Sequence, residues 1–206
     1  ELLDEGTVLL QSMADTPGAH LQLGELAERR GLDPDSHYRA ALFLDPGLEP
    51  AARHMARRLA SRDRLAGAEA ILRRALEVNP DSGGLSYDLG LILGQANRPE
   101  EAAAALAHAA RRQPGNPRIL YNLGLLLERL ERPAEAEAAL LAGLEAAPED
   151  ADMLYALVAF HANKGNPVRA LMFAERLLAV SPGDETQRMV DQLRAASAGS
   201  DRQSGS

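Results

Sequence analysis

Apolar positions along this chain fall into blocks with helical spacing, and short polar turns separate the blocks. Residues spaced three to four apart share one face of a helix, so each block predicts an amphipathic α-helix. One pair of blocks covers 119–130 and 134–146, and Pro133 stands between them where a helix can begin. The pattern therefore predicts antiparallel helix pairs joined by tight turns.

A proline recurs at an unbroken interval of 34 residues, and each copy follows a predicted helix end. The five copies are Pro46, Pro80, Pro114, Pro148 and Pro182. They divide the chain into five predicted repeats, 17–48, 49–82, 83–116, 117–150 and 151–184. The first repeat is shorter, and Asp33-Pro34 is expected to delay its second helix.

Small residues recur where two helices of a pair must approach closely. They are Gly24, Ala56, Gly90 and Gly124 in the first helices and Ala68, Ala102, Ala136 and Ala170 in the second helices. Large residues of the second helices recur as well, at Tyr38, Leu72, Leu106 and Leu140. Together these positions predict a continuous core.

The motif of Leu123-Gly124, Ala136, Gly143 and Pro148 resembles the tetratricopeptide repeat (TPR) family, and it recurs as Leu89-Gly90, Ala102, Ala109 and Pro114. The resemblance covers about residues 17–184. It implies an all-α, right-handed superhelical solenoid of about five repeats plus flanking helices. The sequence departs from the family at its usual tryptophan, which is absent, and at the fifth repeat, where Val158 stands in place of glycine.

The two ends lie outside the repeats. Residues 1–16 are expected to form an N-terminal flanking helix, and 185–196 a C-terminal capping helix. Residues 197–206 are small and polar, which predicts a disordered tail. Because the sequence begins with Glu1, we expect either a removed leader or a piece of a longer protein.

The composition of the chain disfavours some classes of partner. The chain has 22 basic and 30 acidic residues, a net charge of −8 that disfavours nucleic acid as a partner. The sequence has no cysteine and no apolar run long enough for direct membrane insertion. The compartment stays open between the periplasm and the cytoplasm of a bacterium.

No motif for catalysis, phosphate binding or a cofactor is present, so we expect no enzyme activity and no cofactor. The histidines lack the spacing of metal ligands, and we interpret them as ordinary surface or interface residues. They are His20, His37, His54, His108 and His161.

The family resemblance implies a concave groove lined by the first helices. At the fifth position of successive repeats it places Arg53, Tyr87, Tyr121 and Tyr155, residue types enriched at binding hot spots. The alternative is that the rings only cover neighbouring helices. The other candidate groove residues are Arg57, Leu91, Gln95, Asn122, Leu125, Arg129 and Asn163.

The leading hypothesis is a scaffold or assembly subunit that binds a peptide or protein in this groove. The family's clamp for chaperone tails is not expected, because Glu25, Glu28 and Asp88 stand at matching positions. The arginine-rich second repeat could instead meet an acidic surface. Further alternatives are a TPR domain of, or docking subunit for, a bacterial multihaem cytochrome or another larger enzyme, and weak self-association.

Overall fold

The computed structural model describes residues 16–203, with side chains as far as residue 198. Over that range the chain forms eleven α-helices and no β-strand. In chain order the helices are α1 Pro17–Arg29, α2 Asp35–Leu44, α3 Glu49–Ser61, α4 Leu65–Val78, α5 Gly83–Gln95, α6 Pro99–Arg112, α7 Pro117–Arg129, α8 Pro133–Ala146, α9 Ala151–Asn163, α10 Pro167–Val180 and α11 Asp184–Gln203. The predicted flanking helix over residues 1–16 lies outside the described residues, except for Thr16.

The chain divides between Gln113 and Pro114 into two compact units. The N-terminal unit contains repeats 1–3, and the C-terminal unit contains repeats 4 and 5 with α11. In both units the two helices of each repeat pack against each other, as predicted. First helices of neighbouring repeats also contact each other, α3 with α5 in the N-terminal unit and α7 with α9 in the C-terminal unit.

The recurring proline precedes a helix cap by two residues in three repeats. Ser82, Asn116 and Asp150 each accept a hydrogen bond from the backbone N–H three residues later, at 3.0, 3.4 and 2.9 Å. These bonds satisfy N–H groups that the first turn of a helix leaves unpaired. The proline therefore ends one repeat while the polar residue after it begins the next.

The turn inside each helix pair contains one residue with positive φ at the same place in every repeat. The residues are Gly31, Asp63, Asn97, Glu131 and Gly165, with φ between 56° and 70°. In each case the next N–H bonds to a carbonyl five residues back, as between Arg132 and Leu127 at 3.0 Å. This left-handed helix ending reverses the chain within a few residues.

The recurring first-helix glycines Gly24, Gly90 and Gly124 each lie directly against a large side chain of the partner helix. A Cβ on Gly90 would lie 2.8 Å from Cγ of Leu106, and one on Gly124 would lie 2.7 Å from Cδ2 of Leu140. Gly24 meets the ring of Tyr38 at 2.5 Å in the same way. The structure confirms the predicted close approach, because no side chain fits between these helices.

The fifth repeat reverses the sizes of this pair. Val158 occupies the position of Gly124, and Ala174 occupies the position of Leu140 one repeat later. Both residues are buried. The departure of Val158 from the family pattern is therefore offset by a smaller partner at the opposite position.

The C-terminal helix is longer than the sequence predicts. Helix α11 continues past residue 196 to Gln203, so the predicted disordered tail is wrong for residues 197–203. Ala195, Ala196 and Ala198 favour helix, and the Ser197 hydroxyl donates to the Arg194 carbonyl at 2.9 Å. Helix α11 packs on α10, and its Val190 is fully buried.

His161 is buried, which corrects its interpretation as a surface or interface residue. Its ring stacks on Phe173 with centroids 5.5 Å apart and meets Phe160 edge to face at 5.2 Å. Burial lowers the pKa of His161, and Arg169 lowers it further, although Glu137 opposes the shift. The folded state therefore favours the neutral imidazole.

We predict that Gly124→Val lowers the free energy of unfolding by about 1–3 kcal/mol, because the new side chain must displace buried Leu140. The double variant Gly124→Val/Leu140→Ala should recover part of this loss, since it reproduces the pair found in repeat 5. Urea denaturation followed by circular dichroism measures both effects.

Gly94 provides the matched control for added bulk. It lies in α5, and apart from the adjacent residues and the helix's own backbone no heavy atom lies within 4 Å of the place that a Cβ would occupy. Gly94→Ala should therefore raise stability by about 0.5–1 kcal/mol through helix propensity. Gly124→Ala should instead lower it. Equal effects of the two alanine substitutions would contradict close packing at Gly124.

We also predict that stability falls as the pH drops below about 6.5, the ordinary pKa of histidine. The unfolded chain then binds a proton at residue 161 that the folded chain resists, so the free energy of unfolding decreases with decreasing pH. His161→Phe should flatten this dependence below about pH 6.5, leaving the contribution of His37, whose pKa burial also lowers. Identical pH profiles for both proteins would be inconsistent with a buried neutral His161.

Candidate partner-binding surface

All the candidate groove residues lie on first helices. In the N-terminal unit, Arg53 and Arg57 lie on α3, while Tyr87, Leu91 and Gln95 lie on α5. Spacing of four residues places each set on one side of its helix. The C-terminal unit contributes residues on α7, namely Tyr121, Asn122, Leu125 and Arg129, and residues on α9, namely Tyr155 and Asn163.

Arg53 and Arg57 converge on the buried carboxylate of Asp88. Nε of Arg53 lies 2.7 Å from Oδ2 of Asp88, and an Nη atom of Arg57 lies 3.3 Å from the same oxygen. The hydrogen bond to Asp88 raises the pKa of the Arg53 guanidinium above its ordinary value. The expected basic end of the groove is therefore partly neutralised by the chain itself.

Three of the predicted residues in the N-terminal unit line one cleft between α3 and α5. The cleft has a volume of about 290 Å³. It is lined by Arg57, Leu91 and Gln95 together with Ala56, Ala60, Ser61, Asp88 and Ile92. Arg53 lies outside it, in an adjoining hollow with Glu49, Pro50, His54 and Arg57. The cleft combines an aliphatic floor with a charged and polar rim.

Two residues of the C-terminal unit leave large apolar surfaces exposed on first helices. Tyr155 on α9 is 53% exposed and Leu125 on α7 is 38% exposed. Tyr121 is half-buried, and burial together with Asp152 and Asp150 raises the pKa of its hydroxyl. About half of the Tyr155 side chain therefore faces solvent and not a neighbouring helix.

Tyr155 lies at one side of a second cleft, of about 380 Å³, formed by α9 and the segment that joins α10 to α11. The other lining residues are Ala151, Asp152, Leu177, Ser181, Pro182, Gly183, Asp184, Glu185, Thr186 and Met189. Tyr155 is the one residue of this lining that was predicted from the sequence to contact a partner. Arg129 and Asn163 are exposed at the last positions of α7 and α9.

Several arginines of the second repeat are engaged within the N-terminal unit. Nε of Arg58 lies 2.6 Å from Asp35, and an Nη atom of Arg62 lies 2.5 Å from the same carboxylate. Burial tends to raise the pKa of Asp35, but the bonds from both arginines outweigh it and hold the pKa below its ordinary value. These pairs tie repeat 2 to repeat 1 and weaken the hypothesis of an arginine face for an acidic partner.

One serine and histidine are close, but they do not form a nucleophile. Oγ of Ser86 lies 2.9 Å from Nδ1 of His108 and donates its own hydrogen to the Ser82 carbonyl at 2.8 Å. The serine is also buried, so a substrate cannot reach it. The pair links α5 to α6.

Two other kinds of site are not found in the part of the chain that the structure describes. No cluster of three or more histidine, aspartate or glutamate residues there could hold a metal ion. No helix between residues 16 and 203 combines the length and apolar character needed to span a membrane.

Comparison with known proteins gives a family match and a set of similar folds. A model of the tetratricopeptide repeat matches residues 54–117, 87–151 and 121–185. No curated protein matches the sequence. The solved structures described next are each below 25% identity to this chain, so they bear on the fold alone.

Three of those structures illustrate the similarity. PilF of Pseudomonas aeruginosa has a TM-score of 0.72 at 21% identity, over 98% of this chain and 88% of that chain. YrrB, described as a TPR protein with an unusual peptide-binding site, has a TM-score of 0.71 at 20% identity, over 91% and 97%. MamA has a TM-score of 0.71 at 17% identity, over 81% and 92%.

We predict that Asp88→Asn lowers the free energy of unfolding by about 1–3 kcal/mol, because Arg53 and Arg57 lose their shared counter-charge in a partly buried place. Urea denaturation measures the change. Glu101→Gln, which removes an exposed partner of Arg98, should have a much smaller effect. Comparable losses in the two variants would contradict a structural role specific to Asp88.

Proposed function

Because the chain belongs to the tetratricopeptide repeat family, we propose that it is an interaction scaffold or assembly subunit that binds a peptide or protein through its first helices. The binding surface comprises the exposed sides of α3 and α5 in the N-terminal unit and of α7 and α9 in the C-terminal unit. We refer to these as the first-helix surface.

The observation that carries this proposal is the exposure of Tyr155 and Leu125 on first helices. Both residues lie on helices whose other apolar side chains are largely buried, such as Leu123 and Leu157. Tyrosine contributes a rigid apolar ring and a hydroxyl at little entropic cost, which suits it to contact with a partner. Burial of these side chains by a partner would remove apolar surface from water.

The cleft between α3 and α5 supports the same role in the N-terminal unit. Leu91 and Ile92 offer aliphatic contact, while Gln95 and Arg57 offer hydrogen-bond donors at the rim. A peptide side chain could enter such a cleft while its backbone follows the surface. The proposed partner-contacting residues in this unit are Arg53, Arg57, Tyr87, Leu91 and Gln95.

The side-chain chemistry supports the proposal that the protein binds a partner without catalysing a reaction. The closest approach to a catalytic pair, Ser86 with His108, is buried and occupied by structural hydrogen bonds. Among the similar structures, PilW is described as a type IV pilus biogenesis factor and YrrB as having a peptide-binding site. A scaffold that recognises peptides or assembles proteins is consistent with those descriptions. Nothing in the described residues favours the multihaem-cytochrome alternative, which stays a prediction from the sequence.

Peptides that bind the whole chain can be selected from a phage-displayed library. We predict that the Tyr121→Ala and Tyr155→Ala variants bind these peptides more weakly than the unmodified chain does. Truncating a hot-spot side chain costs more than about 1 kcal/mol, so we expect at least about fivefold weaker binding in calorimetry. Circular dichroism verifies that each variant keeps its helix content.

Met172→Ala is the matched control, since Met172 is 48% exposed on the second helix α10. It should leave the affinity unchanged. If Met172→Ala weakens binding while both tyrosine variants bind normally, the partner contacts the second helices and the proposed first-helix surface is wrong.

A further inference from the structure

The cleft beside Tyr155 has the composition of a site for a positively charged side chain. We propose that it binds an arginine or lysine from the partner, between the Tyr155 ring and the carboxylates of Asp152, Asp184 and Glu185. We name it the C-terminal cleft. The inference rests on the proposed function, because it assigns the chemistry of the partner at one part of the first-helix surface.

The C-terminal cleft brings together negative charge from two separate helices. Asp152 lies in the first turn of α9, and Asp184 and Glu185 lie in the first turn of α11. None of the residues that line the cleft is an arginine or lysine. Two arginines are next to lining residues in sequence, and both donate to backbone carbonyls: Arg176 to Pro148 at 3.1 Å and Arg188 to Asp184 at 3.0 Å. The lining described for the cleft therefore holds carboxylates without a cation of its own.

Tyr155 adds an aromatic face to this negative site. Its side chain is 53% exposed and lines the cleft, so a cation can approach the ring. Guanidinium and ammonium groups are attracted to the face of such a ring. Leu177 and Met189 are aliphatic residues of the lining, and they offer contact for the aliphatic stem of an arginine or lysine.

Acidic residues in the first turn of a helix also stabilise the helix dipole, and this is the simpler explanation for their presence. In α9, however, the cap is already made by Asp150, which accepts from the Met153 N–H at 2.9 Å. Asp152 is thus an additional carboxylate, and its charge contributes to raising the pKa of Tyr121 on the neighbouring helix. The cap of α9 therefore does not need Asp152, whose carboxylate lines the cleft beside the exposed ring.

In the N-terminal unit, an arginine of the chain itself neutralises a carboxylate on the first-helix surface. Arg53 stands at the repeat position that Tyr155 occupies three repeats later, and its guanidinium neutralises Asp88 at 2.7 Å. In the fifth repeat the ring of Tyr155 replaces that arginine, while carboxylates line the cleft beside it. Those carboxylates stand at other repeat positions than Asp88, whose counterpart is the buried Val190, and the lining of the cleft supplies no arginine or lysine to neutralise them.

The test uses fluorescently labelled glycine-serine peptides that contain either arginine or citrulline, which has nearly the same shape without the charge. Fluorescence anisotropy measures their affinity for the whole chain at about 0.1 M salt, where distant charges are largely screened. We expect the arginine peptide to bind about tenfold more tightly than the citrulline peptide.

Two sets of variants locate the binding. Asp152→Asn/Asp184→Asn/Glu185→Gln should abolish the preference for arginine over citrulline, and Tyr155→Ala should weaken arginine binding about fivefold. Tyr155→Phe keeps the ring and should bind normally. Glu77→Gln/Glu131→Gln/Glu145→Gln removes the same number of charges from exposed positions outside the cleft and should also bind normally.

Equal binding of the arginine and citrulline peptides to the unmodified chain would overturn the proposal. So would equal weakening by the two charge-removing triple variants, because general attraction to an acidic protein would then explain the affinity. The proposed function is judged separately by the library peptides. The binding of those peptides could require Tyr121 and Tyr155 while the selected sequences show no enrichment in arginine or lysine. That result would support the proposed first-helix surface and contradict the proposed cation site.

Discussion

The contact between a small residue on one helix and a large residue on its partner is the constraint on which this structure depends. Gly90 against Leu106 and Gly124 against Leu140 leave no space for another heavy atom between the helices. Each such contact fixes the distance between the two helices of a repeat. In repeat 5 the sizes are reversed at Val158 and Ala174, which indicates that the sum of the two volumes is preserved rather than the glycine itself.

Close packing inside each pair decides which side chains are left for a partner. The apolar stripe of each first helix is used against its own second helix and the helices of the next repeat, as the burial of Leu89 and Leu157 shows. What is left exposed on α7 and α9 includes Leu125 and Tyr155. The proposed binding surface is thus the part of the first helices that is not buried by packing within the unit.

Much of the fold follows from the sequence because its signals are local and repeated. The 34-residue proline interval and the spacing of glycine and alanine predict helix pairs without any knowledge of distant contacts. The end of α11 is harder to predict, because Gly199 is of a residue type that often ends helices, yet the helix continues through it. Nor does composition alone show that His161 is buried among aromatic rings.

The candidate site is less predictable because it depends on pairs between repeats. Arg53 and Arg57 have the residue types of binding arginines, yet both bond to Asp88 on the next repeat. Asp88 lies one repeat and one residue after Arg53, so a search for opposite charges at that offset could have found the pair. The C-terminal cleft has no comparable signal, since its residues come from three segments of different repeat position.

The central claim, that partners bind the first helices, is tested most directly by hydrogen–deuterium exchange of the whole chain with and without a library-selected peptide. The account predicts slower amide exchange at α7 and α9 or at α3 and α5 in the complex, with α6, α8 and α10 unchanged. Protection confined to the second helices, with the first helices exchanging as in the unbound chain, would contradict it.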